Sequence, residues 1–271
     1  MQPKLILSDI DGTLLNSDRD LSEITIEQVK RIVQKIPFLL VSARMPKQMV
    51  HLQQQLGIQG SPMICYNGAL VVHGLEILHS QEIDMELAEQ LVDFNSKTTG
   101  KVHISLFHND QWYAEAYDDW AKREENNTKT KPEIRSNTAT LQEWREQGAG
   151  AHKIMCMGDE KYIDRVFQFL RETMSEKLNL YRSKETYLEI SNKKVSKLTG
   201  IQRLIAECYP EVMLADVMTF GDNYNDVAMT QAVGYGIAVA NARQEVLDAA
   251  KEITLHHKED GVAHFLQKMT F

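Results

Sequence analysis

The chain has 271 residues and a formal charge of −8, with 43% apolar and 25% charged side chains. That length exceeds the usual size of a single core and fits one large domain or two moderate ones, and the composition is that of a globular protein rather than a disordered one. The negative balance excludes a general nucleic-acid or anionic-membrane surface, which needs clustered Lys and Arg; a small anionic ligand held by a few local cations remains compatible with it.

Cys65, Cys156 and Cys208 are odd in number and lack paired metal spacing, so reduced thiols are expected. Met1-Gln2-Pro3-Lys4 leads into a short apolar strand and then charged residues. It shows neither a signal-peptide core nor a run able to span a bilayer, and a cytoplasmic location is expected.

In chain order, Leu5-Ile6-Leu7 reads as a strand that ends in an acidic turn. Leu21-Ser22 opens a helix to about Lys35, and Phe38-Leu39-Leu40-Val41 is a buried strand. Pro46 starts a second helix that Gly57 closes, before a strand at Met63-Ile64-Cys65-Tyr66. This alternation predicts a parallel sheet with helical crossovers. Residues 70–73 and 76–79, around Gly74, are expected to form a hairpin leading out of that sheet.

The middle of the chain has a different pattern. A helix from about Met85 precedes an antiparallel pair at 102–107 and 112–114. The polar stretch 123–140 reads as connection plus a short helix. A strand at 153–157, a helix at 161–176 and edge strands near 178–181 and 187–190 complete an α+β insert. After Val195 the alternation of strand and helix resumes, through Gly236-Ile237-Ala238-Val239 and a helix starting near Arg243. The expected fold class is α/β: a Rossmann-like parallel-sheet core with helices on both faces, formed by 1–82 and 186–271, with an inserted α+β cap domain at 83–185.

Two acidic turns carry the chemical signal. Asp9-Ile10-Asp11-Gly12-Thr13-Leu14 follows the first strand, and Gly221-Asp222-Asn223-Tyr224-Asn225-Asp226 follows the strand Val217-Met218-Thr219-Phe220. The carboxyl edge of a parallel sheet is where ligands bind. Four carboxylates gathered there would repel one another, and a divalent cation, Mg2+, is the natural way to hold them together.

These two turns resemble the first and last signatures of the haloacid-dehalogenase-like phosphatases, and the order of elements resembles the Cof-type branch with a large α/β cap. Val41-Ser42-Ala43-Arg44 matches the second signature. Tyr66-Asn67-Gly68-Ala69 matches the exit toward the cap, and Leu188-Glu189-Ile190 through Val195-Ser196-Lys197 matches the return with the lysine signature. Ala43 and Leu198 stand where Gly is frequent in the family; neither departure removes a reacting group.

The resemblance implies a phosphatase acting on small phosphorylated metabolites, sugar phosphates among them. Asp9 is the expected nucleophile and Asp11 the expected acid and base, with the Ile10 amide region on a phosphate oxygen. Ser42, the Ala43 amide and Lys197 would meet the phosphate charge, and the resemblance adds Asn225. Arg44 and Asn67 are expected near the substrate. Asp9, the Asp11 carbonyl and Asp222 would hold the metal, with Asp226 supporting that shell or orienting Lys197.

His256-His257 lacks a spaced third ligand and reads as a surface pair. Core packing is the expectation for Trp112, Tyr113, Tyr117 and Trp120. Two alternatives stay open: a phosphomutase of the same fold, and a non-catalytic sensor of a phosphorylated metabolite. Neither nucleic acid nor membrane is expected as a partner, and the oligomeric state is not readable.

Overall fold

The computed structural model describes residues 2–270. Its elements in order are β1 (Leu5–Ser8), α1 (Glu23–Ile32), β2 (Phe38–Val41), α2 (Lys47–Leu56), β3 (Met63–Cys65), β4 (Leu70–His73) and β5 (Glu76–Ser80). There follow α3 (Met85–Lys97), β6 (His103–His108), β7 (Gln111–Ala114), α4 (Asp119–Thr128), β8 (Glu133–Ile134), α5 (Asn137–Gln147), β9 (Lys153–Met157), α6 (Glu160–Met174), β10 (Leu178–Lys184) and β11 (Tyr187–Asn192). The last are α7 (Lys197–Cys208), β12 (Val217–Gly221), α8 (Val227–Ala232), β13 (Tyr235–Ala238), α9 (Gln244–Ala249), β14 (Glu252–Ile253) and α10 (Gly261–Gln267).

The chain divides into two units. One comprises the chain up to His79 and from Ser196 onward; the other is Ser80–Val195. In the first, the strand order is β14-β13-β12-β1-β2-β3-β4-β5. Strands β14 through β3 run parallel, and β4 turns antiparallel to β3. Every residue of β1, β2 and β12 is buried, as a parallel strand covered on both faces requires, which is why these segments read as largely apolar runs. Leu5, Leu7, Leu39, Val41 and Val217 pack with Ile201 and Leu204 of α7 and Met229 of α8, while α1 packs with α2 and α10.

Helix ends follow the local signals. The Ser22 side chain accepts the Thr25 amide at 3.1 Å to start α1, and Gly57, at φ 72°, closes α2 in the left-handed region that favours glycine.

The second unit holds a six-stranded sheet of order β10-β11-β9-β6-β7-β8. Leu87 and Leu91 of α3, Leu141 and Trp144 of α5, and Ile163, Val166 and Leu170 of α6 pack with Ile104, Leu106, Ile154 and Cys156 of the strands. The unit therefore has its own apolar core.

The structure corrects several expectations. The expected return at 186 falls against β11, which pairs with both β9 and β10; the crossing lies after Val195 because those ladders bind β11 into the second sheet. For the same reason β11 is an interior strand and only β10 is an edge. β4 and β5 extend the first sheet instead of leaving it, since β4 pairs with β3 through Met63–Val72 and its neighbours. The polar stretch 123–140 contains most of α4 and the start of α5. α4 was hidden because it buries only Ala121 and so shows no apolar stripe.

Candidate active site

The carboxyl ends of β1, β2 and β12 and the first turn of α7 bring the expected residues together within the first unit. Asp9 continues β1: its amide donates to the Phe220 carbonyl at 3.0 Å, so its buried side chain sits beside the end of β12. The chain then folds over the Ile10 carbonyl, which accepts the Leu14 and Leu15 amides at 3.0 and 3.1 Å. Gly12 takes φ +84°, and a Cβ there would lie 2.5 Å from Asp222 Oδ2. Only glycine permits this approach of the two acidic turns. Thr13 Oγ1 closes the same contact by donating to Asp222 Oδ1 at 2.9 Å.

Lys197 is fully buried at the start of α7, which the Ser196–Thr199 capping box begins. Its Nζ donates to Asp9 Oδ1 and to Asp226 Oδ1, both at 2.5 Å. Burial works against the charged ammonium, but Asp226 and Asp9 outweigh it and hold the Lys197 pKa above its ordinary value. Asp226 Oδ2 accepts the Asp222 and Asn223 amides at 2.9 and 3.0 Å. Both Asp226 oxygens are thus engaged in orienting Lys197 and the turn.

Ser42 lies buried beyond β2, with its amide on the Ile64 carbonyl at 2.9 Å and its carbonyl accepting the Asn67 amide at 2.8 Å. Its Oγ accepts the Arg44 amide at 3.2 Å. Ala43 is partly buried between them. Asn67, at φ 57°, accepts from Asn225 Nδ2 at 2.9 Å, so these two expected contacts are joined.

Asp9, Asp222 and Asp226 each offer a carboxylate oxygen, and these atoms lie within 4.8 Å of one another. Burial raises the Asp9 carboxyl most; Lys197 pulls it back, Asp226 and Asp222 push it up again, and it ends well above the ordinary range. Burial and the Asp226 charge push Asp222 up to about 6 against the Thr13 hydrogen bond. Three carboxylates facing one ammonium leave excess negative charge, and an all-oxygen donor set fits a hard divalent cation.

The Asp11 carboxylate stands apart from that group. It is half-exposed and accepts Arg44 Nε and Nη2 at 2.8 and 2.7 Å. Burial pushes its pKa up, but the Arg44 guanidinium prevails and holds it below the usual carboxylate value.

Two contributors have no signal in the sequence. Asn241 Nδ2 donates to the Gly12 carbonyl at 2.8 Å, and Asn241 Oδ1 accepts the His257 amide at 2.9 Å. His257 Nδ1 donates to the Leu15 carbonyl at 2.7 Å, so half of the expected surface pair braces the first acidic turn. Of the aromatics, Trp112 and Tyr113 are buried as expected, whereas Tyr117 is exposed with its hydroxyl on Glu125.

A second group with metal-ligand chemistry, Glu82, His108 and His152, lies in the other unit. His152 Nδ1 accepts the Asn109 amide at 3.1 Å, which puts the proton of the neutral ring on Nε2 facing Ser80 and Glu82. His108 Nδ1, which also faces Glu82, donates to the Gly150 carbonyl at 2.7 Å. Both nitrogens therefore present N–H rather than lone pairs, and the group is a hydrogen-bonded cluster.

The model of the haloacid dehalogenase-like hydrolases matches residues 6–266. A putative phosphatase of Haemophilus influenzae is 29% identical over 273 residues, covering 99% of this chain and 98% of its own length. The 5-amino-6-(5-phospho-D-ribitylamino)uracil phosphatase YitU of Bacillus subtilis is 25% identical, covering 98% and 97%. Among solved structures, a Thermotoga maritima protein superposes with TM-score 0.88 at 23% identity, covering 100% of this chain and 98% of its own. A subclass IIB sugar phosphatase of the superfamily superposes at 0.80 with 20% identity, covering 97% and 98%. The chain belongs to the haloacid dehalogenase-like hydrolases, in their phosphatase branch. No helix among the described residues is long and apolar enough to cross a membrane.

Proposed function

We propose that the protein is a cytoplasmic, magnesium-dependent phosphatase that hydrolyses small phosphate monoesters, sugar phosphates foremost, through a phosphoaspartate on Asp9. The observation that carries this reading is the pairing of a buried strand-end carboxylate, Asp9, held by Lys197 at 2.5 Å, with a second carboxylate two residues on that stands outside the acidic group. On this reading the first is the attacking group and the second the proton carrier.

In the first step an Asp9 carboxylate oxygen attacks phosphorus and the bond to the ester oxygen breaks. The departing oxygen keeps the electron pair and takes a proton from Asp11, which must carry that proton into the step against the Arg44 guanidinium that favours its ionised form. In the second step water attacks the acyl phosphate, giving a proton to Asp11. The bond to Asp9 breaks, and inorganic phosphate leaves. Lys197, the Ser42 hydroxyl, the amides following Asp9 and Ser42, and Asn225 meet the charge on the transferring group. Asp9, the Asp11 carbonyl and Asp222 would hold the Mg2+, with Asp226 orienting Lys197 behind them. The bound cation would supply charge neutralisation to the phosphoryl oxygens.

The substrate class is supported by the names of two similar proteins, one a sugar phosphatase and one acting on a phosphoribitylamino-uracil. Cys65 and Cys156 are buried thiols outside any disulfide, which is consistent with a reducing compartment. The test is free-phosphate release from a panel of sugar and nucleotide monophosphates, with magnesium and with chelator, beside Asp9→Asn. Magnesium-dependent release that the variant lacks supports the reading. Normal turnover by Asp9→Asn would end it.

A further inference from the structure

Three carboxylates of the active site face one ammonium, so the two acidic turns that carry them repel each other until a cation is bound. Two contacts described above oppose this repulsion, Thr13 Oγ1 on Asp222 and Lys197 on Asp9 and Asp226, and each occupies a carboxylate oxygen. The loop that follows β13 acts differently. The Val239 amide donates to the Gly221 carbonyl at 3.3 Å and the Arg243 amide to the Asp222 carbonyl at 2.8 Å, so residues 239–243 hold the second acidic turn by its backbone. Between them, Asn241 Nδ2 donates to the Gly12 carbonyl of the first turn at 2.8 Å. Asn241 is itself fixed from the other side: its Oδ1 accepts the His257 amide at 2.9 Å, and the His257 ring donates to the Leu15 carbonyl at 2.7 Å. One loop thus bridges both turns through main-chain carbonyls and leaves the carboxylate oxygens to a cation.

We infer that Asn241 is a positioning residue for the cation: with His257 behind it, it fastens the Gly12–Leu15 turn to the Asp222 turn, so that the carboxylates are already gathered when the ion arrives. A donor set that must be assembled against its own repulsion binds more weakly by the free energy of assembling it; a set held in place beforehand does not. A neutral amide suits this position. It offers a donor to Gly12 and an acceptor to His257 at once, and it adds no charge to a site that already carries an excess of negative charge. The role presupposes the phosphatase reading above, in which Asp9, the Asp11 carbonyl and Asp222 hold Mg2+.

The experiment compares the native protein with Asn241→Ala, His257→Phe and Arg31→Ala in MgCl2 titrations at pH 7.5. It is read as the thermal midpoint without substrate and as phosphate release from a hexose monophosphate. Arg31→Ala is the control for stability alone, since the Arg31 guanidinium donates to the Met269 and Leu266 carbonyls, at 3.1 and 2.5 Å, away from the bridge. Asn241→Ala is expected to raise by about tenfold the MgCl2 concentration at which the midpoint begins to climb, and the half-saturating concentration for turnover by the same factor. At saturating MgCl2 its kcat should return to within about threefold of native, because the reacting groups are intact. His257→Phe removes the Leu15 contact and keeps its amide on Asn241, so its shift should be about threefold, the size of one hydrogen bond. Arg31→Ala should lower the midpoint at every MgCl2 concentration and move neither threshold.

A lower midpoint in Asn241→Ala with native magnesium thresholds would overturn the inference and make Asn241 ordinary support for the fold. A kcat that stays depressed at saturating MgCl2 would overturn it too. If Asn241→Ala does not fold, His257→Phe decides between these outcomes by the same thresholds. A native protein whose midpoint ignores MgCl2 would strike the cation reading above and this role with it, whereas a native response that the variants share strikes this role alone.

Discussion

Lys197 is a fully buried cation, held by two carboxylates at 2.5 Å each. Removing one partner of such a group leaves uncompensated buried charge. Lys197→Met is therefore expected to destabilise the protein by about 3–5 kcal/mol in urea unfolding and to abolish turnover; a loss below about 1 kcal/mol would mean that water reaches Asp9 and Asp226. Asp222 leads to a prediction in pH. Its carboxyl, at about 6 in the folded protein, stands above the ordinary value of roughly 4. The folded state thus binds a proton that the unfolded chain releases between those values, so this group's contribution to stability falls as pH rises through about 6. A divalent cation at the site competes with that proton. The rise in thermal midpoint on adding MgCl2 should be full at pH 7.5, shrink steadily below pH 6, and be absent in Asp222→Asn. A magnesium shift of equal size at pH 5 would place the cation elsewhere. Asp9, Asp11, Lys197 and Asp222 were legible as candidates because they are charged side chains set at strand and helix ends. Asn241 was illegible because it acts on the backbone carbonyl of a residue 229 positions away, and a lone Asn carries no pattern that reports such a contact.

The approach of α7 to the turn that follows β3 delivers Lys197 to its partners, and it depends on missing side chains. A Cβ on Gly200 would lie 2.6 Å from Ile64 Cγ2 and 2.8 Å from the Gly68 Cα; a Cβ on Gly68, at φ +101°, would lie 2.2 Å from the Ser196 carbonyl oxygen. Gly200→Ala gains roughly 1 kcal/mol of helix propensity. It must also push the first turn of α7 away from a backbone, at a cost of about 1–3 kcal/mol. The net expectation is a less stable protein in urea and a phosphatase rate lowered at least tenfold, as Lys197 moves off Asp9. A more stable variant of unchanged rate would show that the helix position is not set by this contact. The glycines could be read in the sequence only as residues; the pairing of Gly68 with Gly200 needs the fold. Strands were the most legible elements, since β1, β2 and β12 are buried on both faces and carry no polar residue until Ser8 or Thr219. Helix α4 was the least, with Ala121 its only buried residue. The α2 boundaries were legible because Pro46 and Gly57 have conformational reasons to stand there.

At the scale of the molecule, the change of pattern in the middle of the chain was readable, but the place where the chain returns was not. Tyr187–Asn192 has the composition of a strand that either sheet could take, and only its ladders to β9 and β10 assign it to the second. Those ladders, together with the separate core of α3, α5 and α6 on the six-stranded sheet, make Ser80–Val195 a candidate for independent folding. Its two ends are already tied within it: Asn192 Nδ2 donates to the Glu82 carbonyl at 2.8 Å, and Ile83 bridges Ala151. Closing both crossings inside the unit removes the need for the rest of the chain to bring them together. The fragment 80–195 is expected to be a folded protein with a single cooperative urea transition. The three tryptophans of the chain, Trp112, Trp120 and Trp144, all fall inside it, and Trp112 and Trp144 are buried. Tryptophan emission of the fragment should therefore match that of the intact protein and shift to the red on unfolding. Emission of a solvent-exposed indole in native buffer, without a cooperative transition, would show that this core needs the remainder of the chain to form.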